Sequence, residues 1–268
     1  MLRQCIKFGR GYAETEESID TESLGILNQF TSITGLKAVN KRLEFDMENP
    51  YFKSLRYLLE LQDNTRREIT KWYWDGTEFS KHSIQGHTYF EILTGAVLSD
   101  ILNSEEGKKS KWVCIPSFRK GSDGGIDCFA YRDKEDIQDF QPTVIVCQSK
   151  LYTSTDAALF KSASDSIQMA SQLFNSTKIA EQWTSNINEP IRSGLVDALT
   201  VPLRRPVPML FILQGNTCHE TKNSPINAVT YSFTTLCKVL GDWISDGKDI
   251  DNQIMDYTIE LMQIQKSS

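Results

Sequence analysis

Between His87 and Asn103 the chain reads HTYFEILTGAVLSDILN, and its apolar residues fall on two helical stripes rather than one. Phe90, Leu93, Val97 and Ile101 make the first stripe, and Gly95, Leu98 and Leu102 make the second. A helix that is apolar on both sides has to be covered on both sides, so it belongs inside a layered fold. The rest of the chain supplies the layers. KWVCIPSF, GIDCFAY and TVIVCQSK are short β-rich segments separated by turn or charged residues. DAALFKSASDSIQMASQLF then has helical spacing behind Thr155 or Asp156 as a cap. VPMLFILQG reads as one more buried strand, and SFTTLCKVLGDWI and DNQIMDYTIELMQIQ read as closing helices. Helices and strands that interleave in this way predict an α/β fold, with a mixed central sheet flanked by helices.

The segment before Gln85 is polar and mixed. Within it NPYFKSLRYLLELQ predicts a helix started by Asn49-Pro50, and TKWYWDGTEFSKH predicts a hairpin turning at Asp75-Gly76. Trp72 and Trp74 read as half-buried strand aromatics before they read as base-stacking ones. No internal repeat or low-complexity tract is visible.

Of the 268 residues, 40% are hydrophobic and 24% are charged, the balance of a globular protein that buries a sizeable core. No run approaches the ~18 apolar residues of a membrane span, and the first residues lack the apolar stretch of a secretory signal. Six cysteines (5, 114, 128, 147, 218 and 237) have no metal-type spacing. Reduced core thiols in a cytoplasmic protein are the expectation. The formal charge of −6 argues against a general polyanion binder. Basic clusters exist nonetheless: Arg66, Arg67 and Lys71; Lys108, Lys109 and Lys111; Arg119 and Lys120; Arg204 and Arg205. A focused basic groove on an acidic protein suffices for a nucleic acid.

The polar residues at the ends of the β-rich segments carry the chemistry. In TVIVCQSK, alternation puts Gln148 and Lys150 on one strand face, about 7 Å apart at a rise of roughly 3.3 Å per residue. Asp127 comes just after the glycine-rich turn GSDGG in the preceding segment, and the RDKEDIQDFQ loop lets the two strands pair antiparallel. Asp127, the Gln148 side-chain oxygen and the Lys150 ammonium then converge. Glu91, an awkward carboxylate on the buried helix, is the natural fourth member. A carboxylate and an amide carbonyl are oxygen donors that suit Mg²⁺. A lysine beside them can position a nucleophile and stabilise developing charge. An EF-hand is excluded because its Asp/Asn spacing and closing Glu are missing, and EGKKS has no glycine five positions before Gly107, as a phosphate loop requires. His82, His87 and His219 have neither zinc nor triad spacing.

Glu91 on a helix, GGID with Asp127, and QSK with Gln148 and Lys150 resemble the PD-(D/E)XK nuclease superfamily, in its Mrr-like restriction-endonuclease variant with a Q-x-K motif. The resemblance spans roughly residues 86–172. It departs from the family's usual pattern at Ile126, where a proline commonly precedes the aspartate. It implies a restriction-endonuclease-like core at 86–215, between an N-terminal region (1–85) that serves specificity or a partner and C-terminal helices (216–268) packed on the core. Further implications are hydrolysis of DNA phosphodiester bonds with Mg²⁺ or Mn²⁺ held by Asp127, Gln148 and Glu91, and a role in restriction or anti-phage defence. Lys109, Lys111, Arg119 and Lys120 would meet the backbone of double-stranded DNA, and cutting both strands would call for a homodimer or a defence-complex partner. The alternative is a nuclease-like module that has lost its chemistry and binds nucleic acid or a protein.

Overall fold

The computed structural model describes residues 12–14, 37–39, 42–44, 46–63, 65–70, 81–104, 112–116, 127–132, 144–151, 207–213, 229–231 and 233–266. The helix over DAALFKSASDSIQMASQLF, Trp72 and Trp74, Cys5 and Cys218, and Lys109, Lys111, Arg119 and Lys120 lie outside the described residues.

The doubly striped segment forms helix α2 (Gly86–Asn103), which comes after α1 (Pro50–Gln62) in the chain. Tyr89, Phe90, Leu93, Val97 and Leu98 are buried on α2, while Ile101 and Leu102 are half-buried against the same core. α1 starts where Asn49-Pro50 predicts. The Asn49 side chain accepts from the Tyr51 and Phe52 amides at 2.9 and 3.3 Å, and proline stands where no amide is needed.

The main sheet comprises β6 (Trp112–Pro116), β7 (Cys128–Arg132), β8 (Val144–Leu151), β9 (Val207–Leu213) and β10 (Val229–Tyr231), in the order β10-β9-β8-β7-β6. β7 runs antiparallel to β6 and β8, whereas β8, β9 and β10 are parallel, so the sheet is mixed. Every residue of β7 is buried, as in a strand covered on both faces. β8 is the central strand. Two smaller sheets come from the first part of the chain: β1 (Tyr12–Glu14), β2 (Lys37–Val39) and β3 (Arg42–Glu44) in one, and the hairpin strands β4 (Arg67–Thr70) and β5 (Lys81–Ile84) in the other. β4 pairs with β5 from Arg67 opposite Ile84 to Thr70 opposite Lys81, and the expected turn at Asp75-Gly76 lies outside the described residues.

Two helices close the chain, α3 (Phe233–Ser245) and α4 (Ile250–Lys266). The turn between them needs Gly247, whose φ of 77° is left-handed. Its amide reaches Ile244 O at 3.0 Å and the Lys248 amide reaches Trp243 O at 2.9 Å, the pair of bonds that ends a helix on such a glycine. α3 packs on α1, where Ser54 Oγ donates to Cys237 O at 2.7 Å and the Tyr51 hydroxyl to Asp242 at 2.8 Å. One hydrophobic core takes residues from α1 (Phe52, Leu58), α2 (Phe90, Leu93), β7 (Phe129) and α3 (Leu236, Leu240).

α2 lies between α4 and β6. The Tyr257 hydroxyl of α4 donates to Cys114 O of β6 at 2.7 Å, passing over Gly95 of α2. A Cβ at Gly95 would stand 2.6 Å from that hydroxyl and 3.2 Å from Pro116. Tyr257 could move aside only by abandoning a buried carbonyl. Gly95→Ala is therefore expected to destabilise by about 1–3 kcal/mol from overpacking, outweighing the ~0.5–1 kcal/mol that alanine gains in a helix. Chemical denaturation checks this, and a variant as stable as the parent would contradict it.

α4 also ties in the first helices by charge. Asp251 Oδ1 accepts the Tyr57 hydroxyl at 2.5 Å and the Tyr89 hydroxyl at 2.7 Å, and Oδ2 faces Arg67 at 3.6 Å. Arg67 also donates to Glu60 at 2.8 Å and lies over the Tyr57 ring, 4.6 Å from its centroid. Burial, then the neighbouring Tyr89 and Asp251, push the Tyr57 phenol well above its ordinary pKa, and burial raises that of Tyr89 as well. A raised folded-state pKa keeps these phenols protonated where the unfolded chain ionises. Their contribution is whole below about pH 10 and declines as pH rises beyond it. The melting temperature should fall above that pH, and less steeply in Tyr57→Phe/Tyr89→Phe. An equally steep fall in the double variant would remove these tyrosines as the cause.

Candidate functional site

The site is built where β7 begins and β8 ends. Asp127 stands one residue before β7 rather than within it. Cys128 pairs with Cys147, yet the Asp127 amide donates to Cys147 O at 2.8 Å, one position off that register. A residue bonded out of register is released from the ladder, and its side chain can be re-aimed, as at a bulge. The Asp127 carboxylate turns onto β8. Its Oδ2 accepts the Ser149 amide at 2.6 Å and Gln148 Nε2 at 3.3 Å. Asp127 is 3% exposed and Gln148 is 0% exposed. Buried polar groups of this kind are costly unless bonded to one another, and here they are.

β8 contributes both faces. Ser149 Oγ lies 2.7 Å from Thr94 Oγ1 of α2, so Ser149 and, by alternation, Cys147 and Ile145 belong to the face under α2. The opposite face takes Gln148. Thr94 also donates to Glu91 O at 2.8 Å, and Glu91 itself is half-buried. Asp127 and Gln148 are thus in direct contact, whereas Glu91 is not brought to them: its helix lies under the opposite face of β8, joined to that strand through the hydroxyls of Thr94 and Ser149. Lys150 is placed by register, opposite Ile212 of β9 and two positions beyond Gln148. The four basic candidates, Lys109, Lys111, Arg119 and Lys120, lie outside the described residues.

The amide of Gln148 meets the carboxylate through its nitrogen, whereas the sequence led us to expect its oxygen at the same point. Two oxygens facing each other without a cation between them repel, so a donated hydrogen bond is the expected arrangement of the pair alone. Among the described residues, no group of three or more His, Cys, Asp and Glu could hold a metal ion. The donor set here is one carboxylate and one amide oxygen, which fits Mg²⁺, an ion bound through one or two carboxylates plus substrate oxygens.

Cys114, Cys128 and Cys147 lie beneath α2, all buried and all free thiols. Burial, then Cys128 beside it, pushes the Cys147 thiol well up, so it stays neutral and serves as packing. A cavity of about 650 Å³ opens elsewhere, between α1, β4 and the α3–α4 turn. Its charges satisfy one another, Lys53 with Glu48 at 2.6 Å and Arg67 with Glu60, and no motif residue lines it. Geometry at the strand ends is therefore the better guide to function than concavity.

Sequence reasoning missed Thr94 and Ser149. Ser149 was legible only as the residue between Gln148 and Lys150, and a threonine inside an apolar helix gives no signal of its partner. No helix among the described residues is long and apolar enough to cross a membrane. Comparison with protein-family models, curated proteins and solved structures found no match to this chain.

Proposed function

We propose that the protein is a divalent-metal-dependent endonuclease of the PD-(D/E)XK kind, hydrolysing DNA phosphodiester bonds in restriction or phage defence. The observation that carries this reading is the buried contact of Asp127 with Gln148 and with the Ser149 amide. It lies at the carboxyl end of the central strand of a mixed sheet, where open α/β sheets bind their ligands. Asp127 and Gln148 Oε1 would hold the ion, and Glu91, whose helix lies on the other face of β8, would have to reach it around the end of that strand. An Mg²⁺ ion held there would supply polarisation of a phosphoryl oxygen and a lowered pKa for the attacking water. Lys150 orients the attacking oxygen and stabilises charge that develops on the phosphoryl group. Asp127 and Gln148 are kept dry by burial, which strengthens every such interaction. Lys109, Lys111, Arg119 and Lys120 meet phosphates, which position a duplex without reading it. The test is plasmid nicking with Mg²⁺ and with Mn²⁺, with and without EDTA, on modified and unmodified DNA. Absence of cleavage on every substrate would overturn the reading.

One observation favours a second reading, a nuclease-like module that binds without cutting. At 3% exposure, Asp127 already gives Oδ2 to two donors, a closed arrangement for a carboxylate meant to meet substrate and ion. This reading expects DNA retention with no metal-dependent turnover and no Mn²⁺ beside Asp127 in soaked crystals.

A further inference from the structure

Ser149 is bound on two sides. Its amide donates to Asp127 Oδ2 at 2.6 Å, and its hydroxyl lies 2.7 Å from Thr94 Oγ1. Thr94 has a single hydroxyl proton, which it gives to Glu91 O at 2.8 Å. The Ser149 hydroxyl is then the donor to Thr94, and the bonds run in one direction, Ser149 to Thr94 to Glu91. Thr94 is 0% exposed and Ser149 is 6% exposed, in a buried layer where valine and alanine would pack without polar cost. Glu91 and Thr94 are three residues apart, neighbours on one side of α2. The chain thus spends two buried hydroxyls to join the turn of α2 that carries Glu91 to the residue between Gln148 and Lys150.

We propose that Thr94 and Ser149 are positioning residues: their hydroxyl pair fixes the Glu91 turn of α2 against the Gln148–Lys150 strand, and the Ser149 amide fixes Asp127 to the same strand. The proposal rests on the endonuclease reading above. Groups that hold metal ligands in place, without touching the ion, typically change affinity or activity by roughly 10–100-fold when removed.

The test measures Mn²⁺ affinity by calorimetry and the Mg²⁺ dependence of plasmid cleavage, with melting temperature as a control for folding. Thr94→Val keeps the shape and loses the hydroxyl. It should weaken Mn²⁺ binding and raise the Mg²⁺ needed for half-maximal cleavage by about tenfold, while Thr94→Ser, which retains the hydroxyl, stays close to the parent. Ser149→Ala removes the same bond from the other side and serves if Thr94→Val does not fold. The double variant should lose no more than the worse single one, because the pair acts as a unit. Wild-type metal affinity and Mg²⁺ dependence in both Thr94→Val and Ser149→Ala would overturn the positioning role alone. A parent protein that neither binds Mn²⁺ nor cleaves would overturn the endonuclease reading, and the positioning role with it.

Discussion

Asp127→Ala is expected to abolish metal-dependent cleavage while duplex binding persists or tightens. On the endonuclease reading this carboxylate is the principal charged ligand, and it is 3% exposed, so no group from solvent can replace it. Its loss should lower the rate by at least about 10²-fold, the scale for removing one preorganised electrostatic group. Binding should not suffer, because a negative charge facing phosphates repels them. Alanine also strips the acceptor from the Ser149 amide, now bonded at 2.6 Å, and an orphaned buried donor costs about 1–3 kcal/mol. Asp127→Asn separates the two effects. Its side-chain oxygen can still accept from Ser149, so that buried amide keeps its partner while the charge is lost. Cleavage and gel-shift assays on both variants decide the matter. An Asp127→Asn protein that cuts like the parent would mean that the charge at this position is not used.

How far the sequence reaches is clearest at particular residues. The two stripes of α2, the Asn49 cap and the apolar runs that became β6 to β9 are local signals, written in spacing and turn chemistry, and they appear where expected. The antiparallel pairing of β7 with β8 was legible from the short connection between them. β1, β2, β3 and β10 were not, since three residues are too few to express a period of two. At the site, alternation along TVIVCQSK separates Gln148 from Ser149 correctly, and the expected nearness of Asp127 to Gln148 is what the structure shows. What it could not supply is the out-of-register bond from the Asp127 amide to Cys147 O, which moves the aspartate just outside its strand. Nor could it find Thr94, whose partner lies 55 residues away on another element. Tertiary hydrogen bonds of this sort leave no periodic trace, so the candidate ligands were readable and the frame that holds them was not.

The variants of Gln148 and Lys150 carry the other large effects, and they divide the roles within the site. Lys150→Ala should abolish turnover yet leave metal affinity nearly unchanged, because on the endonuclease reading the ammonium would act on the nucleophile and the developing charge. A loss smaller than about 10²-fold would show that the lysine is misassigned. On the same reading Gln148→Ala removes a neutral ligand, so it should weaken metal binding and slow cleavage most at low Mg²⁺. Gln148→Glu is the more informative change. Gln148 Nε2 now sits 3.3 Å from Asp127 Oδ2, and a glutamate there sets two buried carboxylates against each other. Without metal the like charges must repel or share a proton, which lowers the stability of the fold. A divalent cation relieves that repulsion, and whatever binds the native state alone raises its stability by mass action. The melting temperature of Gln148→Glu should therefore begin below that of the parent and rise further with Mg²⁺, with activity surviving at some level. The glutamine is not a ligand if Gln148→Ala cleaves like the parent at low Mg²⁺ and Gln148→Glu gains no more from the cation than the parent does.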